Sequence, residues 1–188
     1  DVYLASTQTF TGLNTFTSTI TAKGYVSGTS IYLNPDTIPS GGGTRMMWIP
    51  SKQAFRVGYI NGIQWDSDNI GKYSIATGNS TKASGLHSIA MGRATVASEE
   101  CSVAMGEATT ASGIGSVAMG YYVTANGGAS TAMGMYTNAS GPYSTAMGFT
   151  TKATNAGSTA MGMYATASGV YSTAMGTVSY THLRAHET

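Results

Sequence analysis

The stretch Ser102-Val103-Ala104-Met105-Gly106 contains the motif that decides the fold, Ser-x-Ala-x-Gly. The motif occurs eight times between Ser74 and Gly176, and successive copies are fourteen residues apart. A second motif follows seven residues after the alanine of each of the first seven copies, in the form Ala111-Ser112-Gly113 or a close variant. A strict short period of this kind predicts a stack of identical structural units.

Each unit has the length of one coil of a β-solenoid. Its fourteen residues divide into a five-residue strand, a turn, a three-residue strand and a second turn. Helical repeats need longer units, with apolar positions three and four residues apart. The sequence therefore predicts an all-β solenoid of fourteen-residue coils.

The pleat of a strand separates the motif into two faces, with Ser and Ala on one face and the Ile/Val/Thr and Met positions on the other. We expect the bulky methionine column to fill the coil interior and the small alanine column to allow another backbone to approach. Thr131, Thr145, Thr159 and Thr173 share the methionine face, so inside a coil each hydroxyl would need a backbone partner. The predicted structural repeat positions are Ala90, Met91, Gly92, Ala104, Met105, Gly106, Ala118, Met119, Gly120, Ala132, Met133, Gly134, Ala146, Met147, Gly148, Ala160, Met161, Gly162, Ala174, Met175 and Gly176.

So narrow a coil buries few side chains, and small cores usually need support such as oligomerisation. We expect self-association along the small-residue face. The charge composition indicates no strongly charged partner, because only 9% of residues are charged and the net charge is +1. No nucleic-acid partner is predicted.

Catalysis is not expected, because it needs paired carboxylates or an activated nucleophile. Lys152 is the only charged residue between Ala108 and Gly176. Glu99, Glu100 and Glu107 have only His87 and Arg93 nearby in sequence, so a polysaccharide-active solenoid enzyme is a remote alternative. An ice- or mineral-binding array is also disfavoured, since the threonine column forms no Thr-x-Thr grid.

No metal, cofactor or catalytic residue is predicted. His87 and Cys101 share one repeat position, the residue before Ser, and this is better explained as a tolerant turn site than as a metal site. A calcium-loaded roll would need Asp in the repeats, which have none.

The turn after each Ser-x-Ala-x-Gly motif is the candidate ligand-contact surface. Met135 and Met163 accompany aromatic residues there. Aromatic side chains in turns can stack on sugar rings or anchor a protein partner, and they can equally pack against the next coil or a neighbouring chain. The candidate contact residues are Tyr121, Tyr122, Tyr136, Phe149 and Tyr164.

Residues 45–66 are interpreted as a small β connector that precedes the repeats. Asn61-Gly62 lies between two apolar runs and predicts a hairpin turn. Trp48 and Trp65 are the expected packing anchors. Asp66-Ser67-Asp68-Asn69 is predicted to be a capped turn rather than a calcium loop, because the downstream bidentate Glu is lacking.

Four segments follow from these patterns: Thr-rich fibre-shaft-like strands in 1–44, a β-hairpin connector in 45–70, the repeats in 71–176 and a tail in 177–188. The tail shares nothing with the repeats and resembles the translation of an adaptor used in sequencing-library preparation. We expect it to be non-native, so the His182 and His186 pair is not expected to be a metal site.

The SVAMG and SIAMG motifs, with Ala-Ser-Gly seven residues on, resemble the head repeats of YadA-like trimeric autotransporter adhesins over residues Tyr73 to Gly176. The resemblance implies a left-handed parallel β-roll and a homotrimer of chains lying side by side. It also implies a non-catalytic extracellular fibre, on the bacterial cell surface or outer membrane, that mediates adhesion to a host or environmental surface protein or glycan. Glu99 and Asn155 replace the glycine of the second motif and put the local turn geometry in doubt.

The segments upstream of the repeats have resemblances of their own. Residues 46–58 and 64–66 look like the lead-in of bacterial tail fibre domain proteins, and the Thr-Phe repeats of residues 8–17 are similar to phage fibre shafts. They imply an alternative location on a virion, as the receptor-binding segment of a phage tail fibre. Attachment to a membrane is expected only through an anchor domain outside this sequence.

Overall fold

The computed structural model describes residue 38, residues 40–177 and the backbone of residues 180–181. Most of the predicted Thr-rich segment and of the adaptor-like tail lies outside these residues. Within this part of the chain the structure is almost entirely β, and its one helix is the 3-10 helix Ser67–Asn69. No helix of the described residues has the length and apolar character needed to cross a membrane.

Two antiparallel strands lead into eight parallel long strands. β1 (Gly43–Ile49) pairs with β2 (Ala54–Ile60), and β2 then pairs in parallel with the first long strand. Together these strands form one ten-stranded sheet. The long strands are β3 (Ile75–Asn79), β5 (Ile89–Arg93), β7 (Val103–Glu107), β9 (Val117–Tyr121), β11 (Thr131–Met135), β13 (Thr145–Phe149), β15 (Thr159–Met163) and β17 (Thr173–Thr177).

A two-residue strand follows each long strand and belongs to a second, eight-stranded parallel sheet. Each coil of fourteen residues thus contributes one strand to each sheet, which confirms the predicted solenoid. The short strands have two residues rather than the predicted three. They are β4 (Lys82–Ala83), β6 (Val96–Ala97), β8 (Thr110–Ala111), β10 (Thr124–Ala125), β12 (Asn138–Ala139), β14 (Lys152–Ala153), β16 (Thr166–Ala167) and β18 (Tyr180–Thr181).

Stacking is in register, so each repeat position forms a column along the solenoid. Met119 pairs with Met133, and Gly120 with Gly134. Turn A is the pair of residues after each long strand, such as Tyr122 and Val123, and turn B is the segment after each short strand, such as residues 126–130. Hydrogen bonds between coils continue through both turns, so every coil is bonded to its neighbours around its whole circumference.

The coil interior consists of small residues, and the prediction that methionine fills it is wrong. In the coil that contains β7 and β8 the buried residues are Ser102, Ala104, Thr109, Ala111 and Gly113. Methionine lies on the outer face instead, with Met91 37% and Met175 61% exposed and those between them partly exposed. The threonines predicted to share that interior are also on the outer face, so their hydroxyls need no backbone partner inside the coil.

The length of turn A explains this arrangement. Only two residues join each long strand to its short strand, which holds the two sheets close together. The space between the sheets accommodates Ser, Ala and Thr or Val side chains, and protein interiors pack too densely for a longer chain to be added. The small-residue face is therefore enclosed within the coil, and it cannot be the surface for self-association that we expected.

The second motif keeps its turn geometry where glycine is replaced. Ser88 Oγ donates a hydrogen bond to Gly85 O at 2.7 Å in a coil with the glycine. Ser102 Oγ donates to Glu99 O and Ser158 Oγ to Asn155 O, both at 2.6 Å. Because the same serine closes the turn in each case, Glu99 and Asn155 change the side chain on turn B and leave its backbone bonding intact.

The connector closes the open end of the first coil. Trp65 is fully buried and its Nε1 donates a hydrogen bond to Thr81 O at 2.9 Å, whereas Trp48 is 37% exposed. Only Trp65 is therefore a packing anchor. A hairpin forms, but its turn is residues 50–53 between β1 and β2, and Asn61-Gly62 follows β2 as part of a loop. The Asn-Gly signal was misleading because residues 63–65 form no strand that could pair with β2.

The predicted capped turn at residues 66–69 forms as the 3-10 helix, but Asp66 does not cap it. Its carboxylate accepts hydrogen bonds from Ser40 Oγ at 2.7 Å and Gly41 N at 3.0 Å. Asp66 thus links residues 40–41, which precede β1, by hydrogen bonds to the loop that precedes the first coil.

The repeat register continues briefly into the tail. Tyr180–Thr181 pairs in parallel with Thr166–Ala167. Backbone pairing of two residues requires no particular side chains, so the non-native origin of the tail stays a prediction.

Candidate functional site

Turn A holds its first residue in a left-handed backbone conformation. The φ angles of Tyr122, Tyr136 and Tyr164 are 51°, 54° and 57°. In each case the amide donates a hydrogen bond to the preceding coil, as from Tyr136 N to Tyr121 O at 2.9 Å. Such φ values are uncommon for residues other than glycine and persist only where surrounding contacts fix them. The regular hydrogen bonds of the stack provide that constraint.

The five aromatic residues singled out in the sequence form one continuous ladder of ring contacts, which we call the aromatic ladder. The rings of Tyr122 and Tyr136 stack with centroids 5.5 Å apart and an interplanar angle of 27°. Tyr121 meets both edge-on, at 4.6 and 5.7 Å. Phe149 meets Tyr136 at 6.2 Å and Tyr164 at 5.4 Å, again edge-on. These geometries are the favourable ones for aromatic pairs.

The aromatic ladder remains open to solvent although its rings pack on one another. Tyr122, Tyr136 and Tyr164 are each close to half exposed, and Met135 and Met163 beside them are 41% and 42% exposed. Packing between coils and availability to a ligand are therefore compatible at this surface.

A polar stretch continues the same column toward the connector. Arg93 pairs with Glu107, and Glu107 is in register with Tyr121. The hydrogen bond and charge of Glu107 raise the pKa of Arg93. Partial desolvation, with smaller contributions from Tyr136, Tyr122 and Glu107, raises the pKa of Tyr121. The surface thus combines an ion pair with neutral phenols and apolar rings.

The glutamates singled out as possible catalytic groups lie in two places, and Glu100 lies near the imidazole of His87 on exposed turn B. Glu107 is bound to Arg93 at the end of β7, whereas Glu99 and Glu100 lie in the turn before that strand. A shallow depression of about 290 Å³ is lined by Ile114, Gly128, Ala129, Pro142 and Tyr143. Its lining offers no carboxylate, imidazole or amine, so the depression has none of the groups that hydrolysis of a polysaccharide requires.

Sequence reasoning missed two surfaces. The outer face of the ten-stranded sheet is one, because its apolar residues were assigned to the interior. The other is on turn B, where the structure brings His87, Glu100 and Cys101 together. The signal for this cluster was present, since His87 and Cys101 are separated by one period of fourteen residues and must therefore be neighbours in the stack.

The fold and the surface of the described residues define a class, the parallel β-solenoid repeat proteins whose coils carry exposed columns of like residues. The family model for the YadA head domain repeat matches residues 70–95, 97–122, 139–165 and 153–179. The repeat region of this chain therefore contains YadA head domain repeats, and that family suggests an adhesin-type surface-fibre module. No curated protein matches the chain.

Proposed function

We propose that this chain is a non-catalytic, homotrimeric adhesion module of a surface fibre, which binds a surface protein or glycan of a host or of its environment. The YadA head repeats support the fibre role. The observation that carries the binding role is the aromatic ladder, because a row of half-exposed tyrosines on a rigid backbone offers large apolar contact area at low entropic cost.

Trimer formation is supported by the outer face of the ten-stranded sheet. Its two columns carry Ile75, Ile89, Val103 and Val117, then threonine, beside seven consecutive methionines. Proteins rarely leave a contiguous apolar surface of this kind in water unless it is an interaction surface. Burial of this face between chains would give the narrow coils the apolar core that each lacks alone.

The location of the module is the bacterial cell surface or, as the alternative, a phage tail fibre in which it would bind the receptor. The resemblance of residues 46–58 to tail fibre domain proteins supports the second location. Both locations present the same aromatic ladder to a partner.

The binding role is tested by a comparison of two sets of three tyrosines. Tyr122→Ala, Tyr136→Ala and Tyr164→Ala are combined in one variant; alanine already occupies this column at Ala94 and Ala108, so the fold is retained. We expect binding to cultured host cells and to a panel of immobilised oligosaccharides to fall at least tenfold, because each aromatic contact is worth about 0.5–1.5 kcal/mol.

The control instead removes three tyrosines at the position before the serine of the Ser-x-Ala-x-Gly motif. Tyr73→Ala, Tyr143→Ala and Tyr171→Ala lie at a position where Ala129 has the same backbone conformation. This variant should bind as the unmodified chain does. Equal binding by both triple variants would rule out the aromatic ladder as the contact surface.

A further inference from the structure

A cluster of three potential metal ligands lies where turn B of the first coil, after β4, meets turn B of the second coil, after β6. His87 and Cys101 occupy the same position in adjacent coils, and Cys101 N donates a hydrogen bond to Leu86 O at 2.8 Å. Both residues are left-handed, with φ angles of 57° and 56°. The shared backbone conformation places the imidazole and the thiol side by side on the outside of the stack.

Glu100 completes the cluster. One ligand atom from each of His87, Glu100 and Cys101 lies within 4.8 Å of the other two. All three residues are exposed, so the site is accessible to an ion from solvent. Within the described residues this is the one group of three or more His, Cys, Asp or Glu side chains with such proximity.

A ring contact orients the histidine. The imidazole of His87 stacks on the ring of Tyr73, which lies fourteen residues earlier, just before β3, with centroids 4.9 Å apart and an interplanar angle of 13°. Stacking restricts rotation of the imidazole, which lowers the entropy lost when it binds an ion. The cluster is thus partly preorganised by the same periodicity that builds the solenoid.

The donor set matches a borderline-soft divalent cation. Imidazole nitrogen, thiolate sulfur and carboxylate oxygen are the zinc ligands of proteins, at about 2.0–2.3 Å, so that tetrahedral donors lie roughly 3.3–3.8 Å apart. The ligand atoms lie within 4.8 Å of one another, so changes of side-chain rotamer need to bring them closer by no more than about 1.5 Å. Three protein ligands leave the fourth position for water, and the thiol proton passes to solvent when the thiolate binds.

We propose that His87, Glu100 and Cys101 form a binding site for one Zn²⁺-class divalent cation per chain, which cross-links the first and second coils. The site is separate from the aromatic ladder, which lies at the ends of long strands and on turn A of later coils. It revises the sequence-based expectation that His87 and Cys101 mark only a tolerant turn. The ion joins ligands of two coils, so its binding stabilises the folded chain.

The test uses the full chain carrying His182→Ala and His186→Ala, so that the tail histidines cannot contribute to binding. Zn²⁺ affinity and stoichiometry are measured by competition with a chromophoric chelator, with the thiol kept reduced. We expect one Zn²⁺ per chain, and a thiolate-to-metal charge-transfer absorption when Co²⁺ is bound in its place. Zn²⁺ should also raise the midpoint of thermal unfolding.

Each substitution introduces a residue that already occurs at the same repeat position in another coil, so that the variants fold. Cys101→Ala installs the residue found at Ala129, and Glu100→Ala that found at Ala156. Cys101→Ala should abolish the Co²⁺ charge-transfer absorption, lower Zn²⁺ affinity at least tenfold and remove the thermal shift. Tyr143→Ala, at the same repeat position as Cys101 in a later coil, is the control and should change none of these readouts.

Two results would overturn the proposal. One is Co²⁺ binding without thiolate charge transfer in the chain that retains Cys101. The other is a Zn²⁺ affinity that Cys101→Ala and Glu100→Ala leave unchanged.

Discussion

The glycine of Ser-x-Ala-x-Gly is required by both conformation and space. Gly106 has a φ of 118°, a region that side-chain-bearing residues avoid. A Cβ atom on Gly106 would also lie closer than 3.0 Å to the carbonyl oxygen of Gly120 in the next coil. Gly115 differs, because its φ is 65° and no atom lies within 4 Å of a Cβ built there.

Gly106→Ala is therefore expected to lower the free energy of unfolding by about 3 kcal/mol. Gly115→Ala is the matched control and should change it little, since Ala129 has the same left-handed conformation one coil later. Denaturant unfolding at a fixed protein concentration measures both. Similar stability of the two variants would show that the coils can separate locally to admit a methyl group.

The motif predicted which residues matter at this scale, but not the direction in which they point. Alternation separates Ala104 from Met105 without saying which of the two faces inward. The larger of two apolar side chains usually faces the interior. Here it does not, because the two-residue turn A holds the two sheets too close together for the side chain of Met105 to fit between them. The lengths of the individual strands and turns would show which residue faces inward, but the repeat period gives only the total length of a coil.

At the scale of elements, the connector functions as a cap on the solenoid. Arg56 in β2 is in register with Ala76, so it occupies the interior column at the end of the stack. Its guanidinium is fully buried and donates hydrogen bonds to Phe55 O, Ser74 O, Ser74 Oγ and Ala83 O at 2.7–2.9 Å. Burial lowers its pKa to about 10, so Arg56 remains protonated at neutral pH.

Replacement of this residue tests the cap. Arg56→Leu should lower the free energy of unfolding by about 2–3 kcal/mol, because the buried carbonyl groups lose a charged donor. Arg93→Leu removes an exposed arginine from the surface and should have a smaller effect. Urea unfolding followed by circular dichroism provides the comparison. An Arg56→Leu variant as stable as the unmodified chain would show that the cap depends on Trp65 and its apolar neighbours alone.

The sequence predicted part of this element. Trp65 was identified because a large aromatic residue in a short connector needs a place to pack, and the structure buries it. Arg56 was not identified, because an isolated arginine in a strand pattern is ordinarily a surface residue. Only the register with Ala76, a long-range property, places it in the interior.

At the scale of the whole molecule, we expect the outer face of the ten-stranded sheet to determine whether chains assemble. Methionine is the bulkiest regular feature of the repeat, and it lies on the surface from Met91 to Met175. A face of this composition is suited to burial between copies of the chain. The interior of the coil and the interface of the assembly would then be built by alternate residues of the same strand.

We predict a solution mass three times the 19.3 kDa of one chain. Met133→Lys combined with Met147→Lys should reduce it to that of one chain, because charges buried between apolar faces carry a large desolvation penalty. Thr124→Lys with Thr166→Lys is the control, since Lys152 already occupies this column. Sedimentation at micromolar concentration distinguishes the outcomes. If the unsubstituted chain is folded and has the mass of one chain, the trimer is contradicted. If the variant with both methionines replaced keeps three times the mass of one chain, this face is excluded as the interface.

The in-register stacking also bears on how such a chain can change length during evolution. Each coil offers the next coil the same hydrogen-bonding groups and the same small interior residues. Recombination between misaligned repeats adds or deletes fourteen residues at a time and joins surfaces that already match. The distance between the cap and whatever follows the last coil can therefore be adjusted in steps of about 4.8 Å without a new folding problem.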